Sequence, residues 1–150
     1  MICIDASVAA KWLLNEDYSD RAEALLNRAL ATPEPLVAPP LLPSEVANIL
    51  RQRMQRGTLT LIEARALLAQ FRAVPISLQA PETIYEQALV LADRYNLPAV
   101  YDSHYVVLAQ LLGATLWTAD EWLLNTLAGR LPFVQAIATY PLPPTPETLP

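Results

Sequence analysis

The sequence predicts an α/β fold, a mostly parallel sheet covered by helices on both faces, and three observations predict it. Short apolar runs alternate with longer stretches of helical periodicity, the order that builds strand–helix–strand units. With 53% hydrophobic and 17% charged residues, the 150-residue chain has enough apolar material for one core and too little charge for a disordered polymer. An aspartate also stands at the end of three apolar runs, where open parallel sheets place their sites.

Ile2-Cys3-Ile4 reads as a short buried strand ending at Asp5. Val8, Trp12, Leu13 and Leu14 suit a helix over 7–14, and Asn15-Glu16-Asp17 suits a loop. Ala22, Leu25, Leu26, Ala29 and Leu30 recur at helical spacing over 18–31, a helix ended by Thr32-Pro33-Glu34-Pro35. Leu36-Val37-Ala38 is the second strand. A helix follows from about 42 to 56, with Pro43 fitting its first turn and Gly57 its stop. The helix over 60–73 has Leu61, Ile62, Ala66, Leu67 and Leu68 on its apolar side. In the strand over 74–78, Pro75 marks a sheet edge or a strand start. Ile84, Ala88, Leu91, Ala92 and Tyr95 define a helix over 81–96. Ala99-Val100-Tyr101 reads as a short strand before a helix at 103–112 that Gly113 stops. A strand at 115–118, a helix near 121–128 stopped by Gly129, and a strand at 133–137 complete the pattern. No repeat or internal linker divides it, so residues 1–140 are expected to form one domain. Residues 141–150 are expected to form an extended proline-rich tail, unable to join a ladder.

A single cysteine, Cys3, and a single histidine, His104, exclude an intramolecular disulfide and a zinc site built from Cys or His. The net charge of −5 argues against passive nucleic-acid binding, which needs Lys and Arg on phosphates. It leaves room for a nuclease, whose acidic cluster a bound metal would cancel locally. The start at Met1 lacks the basic and apolar segments of a secretory signal, and no apolar run approaches a membrane span. A soluble cytoplasmic protein is expected.

The acids carry the chemistry. Asp5, Asp102 and Asp120 each follow an apolar run and open a helical stretch, and Glu45 lies in the first turn of the 42–56 helix. Singly, each has a structural reason, since Asp is a favoured N-cap and an early Glu suits the helix dipole. Yet Ser, Thr, Asn and Asp cap about equally well, so three aspartates in a row arise about one time in sixty. Carboxylates gathered in one crevice repel unless positive charge lies between them. A hard divalent cation such as Mg²⁺, which takes oxygen ligands, is the economical candidate.

At these residues the chain resembles the PIN-domain nucleases, particularly the VapC toxins of type II toxin–antitoxin pairs. Ile4-Asp5-Ala6-Ser7-Val8-Ala9-Ala10-Lys11-Trp12 is similar to their opening, and Pro43-Ser44-Glu45-Val46-Ala47-Asn48 to their second acidic motif. Tyr101-Asp102-Ser103-His104-Tyr105 with Val107-Leu108-Ala109 resembles the third, and Trp117-Thr118-Ala119-Asp120 the fourth. The order and spacing match from residue 2 to about residue 137. The resemblance implies a three-layer α/β/α sandwich and a Mg²⁺- or Mn²⁺-dependent endoribonuclease that cleaves RNA with a metal-activated water. It makes Asp5, Glu45, Asp102 and Asp120 the catalytic and metal site. Asp5 and Asp102 are expected as direct ligands. Glu45 and Asp120 are expected to ligate, to hold the metal's waters or to orient the attacking one. One ion or two would both fit. The resemblance further implies a cognate antitoxin protein that lays a helix in an apolar groove, which Trp12, Leu13, Leu41 and Leu42 are placed to line, and a homodimer.

Ser7 and Thr118, each within two residues of an acid, are candidates to hold the ligands in place. Lys11 is a candidate phosphate contact, and Arg51, Arg53 and Arg56 are candidates to guide RNA toward the acids. Glu121 reads as a solvated first-turn acid and Cys3 as a packed strand residue. His104 is given no role as a base, since a carboxylate–metal site does not need imidazole. Trp12, Trp117 and Trp122 read mainly as core or partner-surface aromatics. Three rival readings are weaker. An aspartate-based phosphohydrolase wants a second Asp where Ser7 stands. A dinucleotide-binding domain wants a Gly-rich turn, and the chain has three glycines in all. A non-catalytic PIN-like module that binds RNA or protein has no need of all four acids.

Overall fold

The computed structural model describes residues 1–127 and 129–146. The described residues form five strands and seven α-helices in the order β1 (Ile2–Ile4), α1 (Ala6–Leu13), α2 (Ser19–Ala31), β2 (Leu36–Ala38), α3 (Leu42–Gln55), α4 (Leu61–Arg72), β3 (Ile76–Leu78), α5 (Ile84–Arg94), α6 (Tyr101–Leu112), β4 (Thr115–Thr118), α7 (Glu121–Leu127) and β5 (Val134–Ala136). The strands run in the order β3-β2-β1-β4-β5, and every pair is parallel. β1 and β2 are buried at every position, which is why they read as unbroken apolar runs rather than alternating ones. β3 is an edge strand that leaves Ser77 and Leu78 exposed, the place its neighbouring Pro75 marked.

From β1 the chain steps through β2 to β3, then crosses back to β4 on the other side of β1 and on to β5. Right-handed crossovers therefore put α1–α4 on one face and α5–α6 on the other. The packing agrees: α1 lies against α2, α3 and α4, while α6 lies against α5, β1 and β4. The core between the layers holds Ile4, Leu25, Leu42, Leu116 and the fully buried ring of Tyr105.

The segment Ala99–Tyr101 is not a strand. Helix α5 ends at Arg94, Asn96 just beyond it is left-handed at φ 52, and the Leu97 N–H donates to the Ala92 carbonyl at 2.8 Å. Pro98 follows, and Val100 is already the N-cap of α6, its carbonyl accepting from the His104 N–H. Both neighbour positions of β1 are taken by β2 and β4, so this apolar pair packs as a helix entry instead. Asp102 consequently sits inside the first turn of α6 rather than after a strand.

Helix α4 also differs from its predicted face. Ala64 and Phe71 are buried with Leu68 packed beside them, a narrow i, i+4, i+7 stripe, while Leu61, Ile62 and Ala66 are exposed. A capping box starts it: Thr60 Oγ1 accepts from the Glu63 N–H, and Glu63 Oε2 accepts from the Thr60 N–H. The last strand is shorter than its apolar run, because Ile137 opens a 3-10 turn through Thr139. Ala128, where the predicted helix ended, lies outside the described residues, as do residues 147–150 of the tail. Residues 141–146 carry no regular secondary structure. No helix among the described residues is long and apolar enough to cross a membrane.

Candidate active site

β1 and β4 are neighbours, with Ile4 paired to Trp117, yet their outgoing connections leave in opposite directions. That splits the loops apart at the carboxyl ends of the two strands and opens a crevice. Asp5 is the first residue beyond β1. It is buried, extended at φ −103 and ψ 179, and its side chain caps α1. Asp5 Oδ1 accepts from the Val8 N–H at 3.2 Å and from Ser7 Oγ at 2.5 Å, and Oδ2 accepts from Thr118 Oγ1.

Asp120 lies two residues beyond β4 and caps α7, its Oδ1 accepting from the Leu123 N–H at 3.0 Å. The two loops are laced together. Ser7 Oγ accepts from the Ala119 N–H at 2.8 Å, and the fully buried Thr118 Oγ1 accepts from the Asp120 N–H at 3.0 Å. The structure thus joins Ser7 and Thr118 to Asp5 directly.

The other two acids come from helices. Glu45 stands in the first turn of α3 and Asp102 in the first turn of α6, both half-buried. Tyr105, one turn beyond Asp102, donates its hydroxyl to Glu45 Oε1 at 3.3 Å. Sequence reasoning missed Tyr105. It opens the run Tyr105-Val106-Val107-Leu108-Ala109, which signals only core, and its reach to Glu45 depends on how α3 and α6 pack. Among the described residues no side-chain hydrogen bond holds the Asp102 carboxylate.

Burial and mutual repulsion dominate the electrostatics. Burial pushes Asp5 up to about 6, against the donors from Ser7, Thr118 and Val8, and Asp120 pushes it further. Glu45 rises to about 7 through burial and then Asp102, with the Tyr105 hydroxyl opposing and Asp5 adding. Asp102 is raised by burial and then by Asp120. The coupling closes a ring: Asp5 with Asp120, Asp120 with Asp102, Asp102 with Glu45, and Glu45 with Asp5.

This donor set fits a hard divalent cation, because oxygen ligands of one sign are what such an ion neutralises. Among the described residues no three acidic, His or Cys side chains form a ready-made cage for a metal. Mg²⁺ does not need one, since it keeps several waters and is held by one or two carboxylates together with substrate phosphate. Glu45 and Asp102 border an open cleft of about 480 Å³, otherwise lined by Leu41, Ser44, Asn48, Ile49, Gln52, Ala99 and Tyr101.

The remaining candidates fall in different places. Arg53 is held by Glu16, Nη2 to Oε2 at 3.2 Å, whereas Arg51 and Arg56 are exposed. Lys11 lies in the last turn of α1, beside Thr118 and Ala119. His104 is turned away from the acids, its Nδ1–H donating to the Val100 carbonyl at 2.8 Å and its ring meeting Tyr85 edge-on. The Cys3 thiol is buried, donates to the Tyr105 carbonyl and is pushed above its ordinary range by that burial. Trp12 donates its indole N–H to the Ala22 carbonyl and ties α1 to α2, Trp117 packs edge-on against Tyr140, and Trp122 is exposed. Of the residues proposed to line an apolar groove, Leu41 borders the cleft, and Leu42 is fully buried core and unavailable to it.

A family model for the PIN domain matches residues 2–126. The chain is 34% identical over 132 residues to VapC ribonuclease Mb0985 of Mycobacterium bovis, covering 88% of this chain and 95% of that protein. Ribonuclease VapC9 of Mycobacterium tuberculosis matches with the same 34% identity and the same coverage, 88% and 95%. Ribonuclease VapC3 of Pyrobaculum aerophilum is 32% identical over 126 residues, covering 81% of this chain and 91% of that protein.

Proposed function

The chain belongs to the PIN-domain family, and on that premise we propose that it is a divalent-metal-dependent endoribonuclease, the toxin of a toxin–antitoxin pair. The observation that carries the reading is the placing of four acids at the switch point of the sheet: Asp5 and Asp120 on the laced loops after β1 and β4, and Glu45 and Asp102 in the first turns of α3 and α6, each coupled by repulsion to its neighbours. Buried and half-buried carboxylates that repel one another destabilise a fold that has no cation to place among them.

Asp5 and Asp102 are the direct ligands in this reading, with Glu45 and Asp120 completing the site for Mg²⁺ or Mn²⁺. When bound, such an ion makes a coordinated water more acidic and stabilises charge on the phosphoryl oxygens. The chain's own residues orient and confine. Ser7, Thr118 and the Val8 N–H fix the Asp5 carboxylate so that it meets the ion without reorganising. Tyr105 tethers one oxygen of Glu45 at the edge of the cleft, and the carboxylate is there to orient an attacking water.

RNA reaches the acids along α3. Arg56 lies eleven residues beyond Glu45, three turns along the same helical stripe and ~16 Å away. Arg51 falls on a different side of that helix, and Arg53 is engaged by Glu16. Arg56 is therefore the arginine to meet a phosphate at the far end of the cleft, with Lys11 on the opposite side of the acids. The cleft is also the place for a cognate antitoxin. Its walls of Leu41, Ile49, Ala99 and Tyr101 suit the apolar side of a helix, and Glu45 and Asp102 suit a basic side chain carried on it. For a second copy of the chain, the exposed Tyr85, Leu89 and Val90 of α5 offer an apolar face.

The test is cleavage of a mixed RNA pool. Cutting is expected with Mn²⁺ or Mg²⁺, lost in excess chelator, and lowered about a thousandfold in Asp102→Asn with an unchanged circular dichroism spectrum. Cleavage that survives chelation, or an Asp102→Asn protein that cuts at the wild-type rate, rules the reading out.

A further inference from the structure

A second cleft, of about 300 Å³, reaches Thr118, the residue whose hydroxyl donates to Asp5. Lys11, Tyr18, Thr118 and Glu121 line it, with Ile137 among its apolar residues. Tyr18 is the unusual member. It is 50% exposed, so it is not there for the core. Its backbone stands at φ 65, in the left-handed region that residues other than glycine rarely enter and that costs free energy for a bulky aromatic.

The loop that presents this ring is braced on two sides. Ser19 Oγ accepts from the Glu16 N–H at 3.0 Å and donates to the Leu14 carbonyl at 3.0 Å. Glu16 is in turn held by Arg53 of α3 at 3.2 Å. Arg53, one of the candidates to guide RNA, thereby also ties α3 to this loop. Thr118 is both a wall of this cleft and the hydroxyl that donates to Asp5, so whatever fills the cleft lies against the acidic centre.

We propose that this cleft takes one unpaired nucleobase of the RNA, stacked on Tyr18, with the adjoining phosphate on Lys11. The proposal rests on the ribonuclease reading above and adds to it a place for a base. An aromatic ring fixed at a rim is a platform on which any base stacks without regard to sequence, provided that the base is not in a duplex. Lys11 is the cation lining the cleft, and Asp17 and Glu121, which line it too, confine a phosphate to the Lys11 side.

The experiment compares wild type, Tyr18→Phe, Tyr18→Asn and Lys11→Gln. Binding of a fluorescein-labelled single-stranded RNA is measured in chelator, and cleavage of the same RNA is measured in Mn²⁺. Asparagine tolerates the left-handed backbone, so Tyr18→Asn is expected to keep the wild-type melting temperature. It is expected to weaken binding and raise KM by about tenfold while leaving kcat in place. Tyr18→Phe is expected to match wild type, and Lys11→Gln to flatten the slope of log affinity against log salt by about 0.7. The same sequence as a duplex is expected to bind more weakly. Wild-type affinity in Tyr18→Asn, an equal loss in Tyr18→Phe, or duplex binding as tight as single-strand binding would each overturn the subsite. If wild type cleaves RNA and Tyr18→Asn does so with an unchanged KM, the subsite alone falls. If wild type neither binds nor cleaves RNA, the ribonuclease reading falls and takes the subsite with it.

Discussion

The two halves of the acidic site are built on different principles. On the strand side, Asp5 and Asp120 cap α1 and α7, and Ser7 and Thr118 tie the two loops together. On the helix side, Glu45 has one long bond from Tyr105, and Asp102 lies in the first turn of α6 without capping it. The strand-side acids serve the fold and the site together, so a structural reason would account for them alone. The helix-side acids bring burial and repulsion with no comparable local gain. Their presence is the stronger argument for function.

The largest effect expected from this contrast is on pH-dependent stability. Asp5 and Glu45 titrate near 6 and 7 in the folded chain, against ordinary values of 3.8 and 4.5. Between those limits the folded state holds more protons than the unfolded one, so stability is fully present below about pH 4 and declines as pH rises to 7. Calorimetry of metal-free protein should show the melting temperature falling between pH 5 and pH 8, with about 1.4 kcal/mol of stability lost over that window from Asp5 and a further loss from Glu45. Mg²⁺ at pH 8 should restore it. A melting temperature that rises over that range would show that the strand-side donors outweigh burial.

Next in size is Thr118→Val. It strips a donor from a buried carboxylate and an acceptor from the Asp120 N–H, and should cost about 2 kcal/mol in denaturant unfolding. Mn²⁺ affinity should drop about tenfold or more by isothermal titration. The smallest effect is expected on the helix side. Tyr105→Phe removes one 3.3 Å bond and should cost about 1 kcal/mol by the same unfolding assay. Should Tyr105→Phe prove the more damaging of the two, the picture of a braced strand half and a loosely held helix half is wrong.

The same contrast explains what could be read from the residues. Asp5 and Asp120 were legible because strand, cap and helix follow one another within a few positions, and local chemistry fixes all three. The capping argument for three aspartates counted one too many, since Asp102 caps nothing. Ala99-Val100 looked like a strand because a short apolar pair has no period to betray a helix entry. The face of α4 was misjudged because its Leu61-Ile62 pair is apolar and still exposed. Tyr105, Tyr18 and the Arg53–Glu16 pair were out of reach, since each depends on segments brought together from far along the chain.

One such long-range contact has a kinetic consequence. The hydroxyl of Thr118 meets Asp5 across 113 residues. Chain is made from the amino end, and non-local pairings close late because their loop entropy must first be overcome. Asp5, Glu45 and Asp102 are all synthesised before β4, the strand that pairs with β1 and carries Thr118 to Asp5. The acidic centre is therefore completed only after the fourth strand has been made, and a nascent chain lacks the assembled site until then.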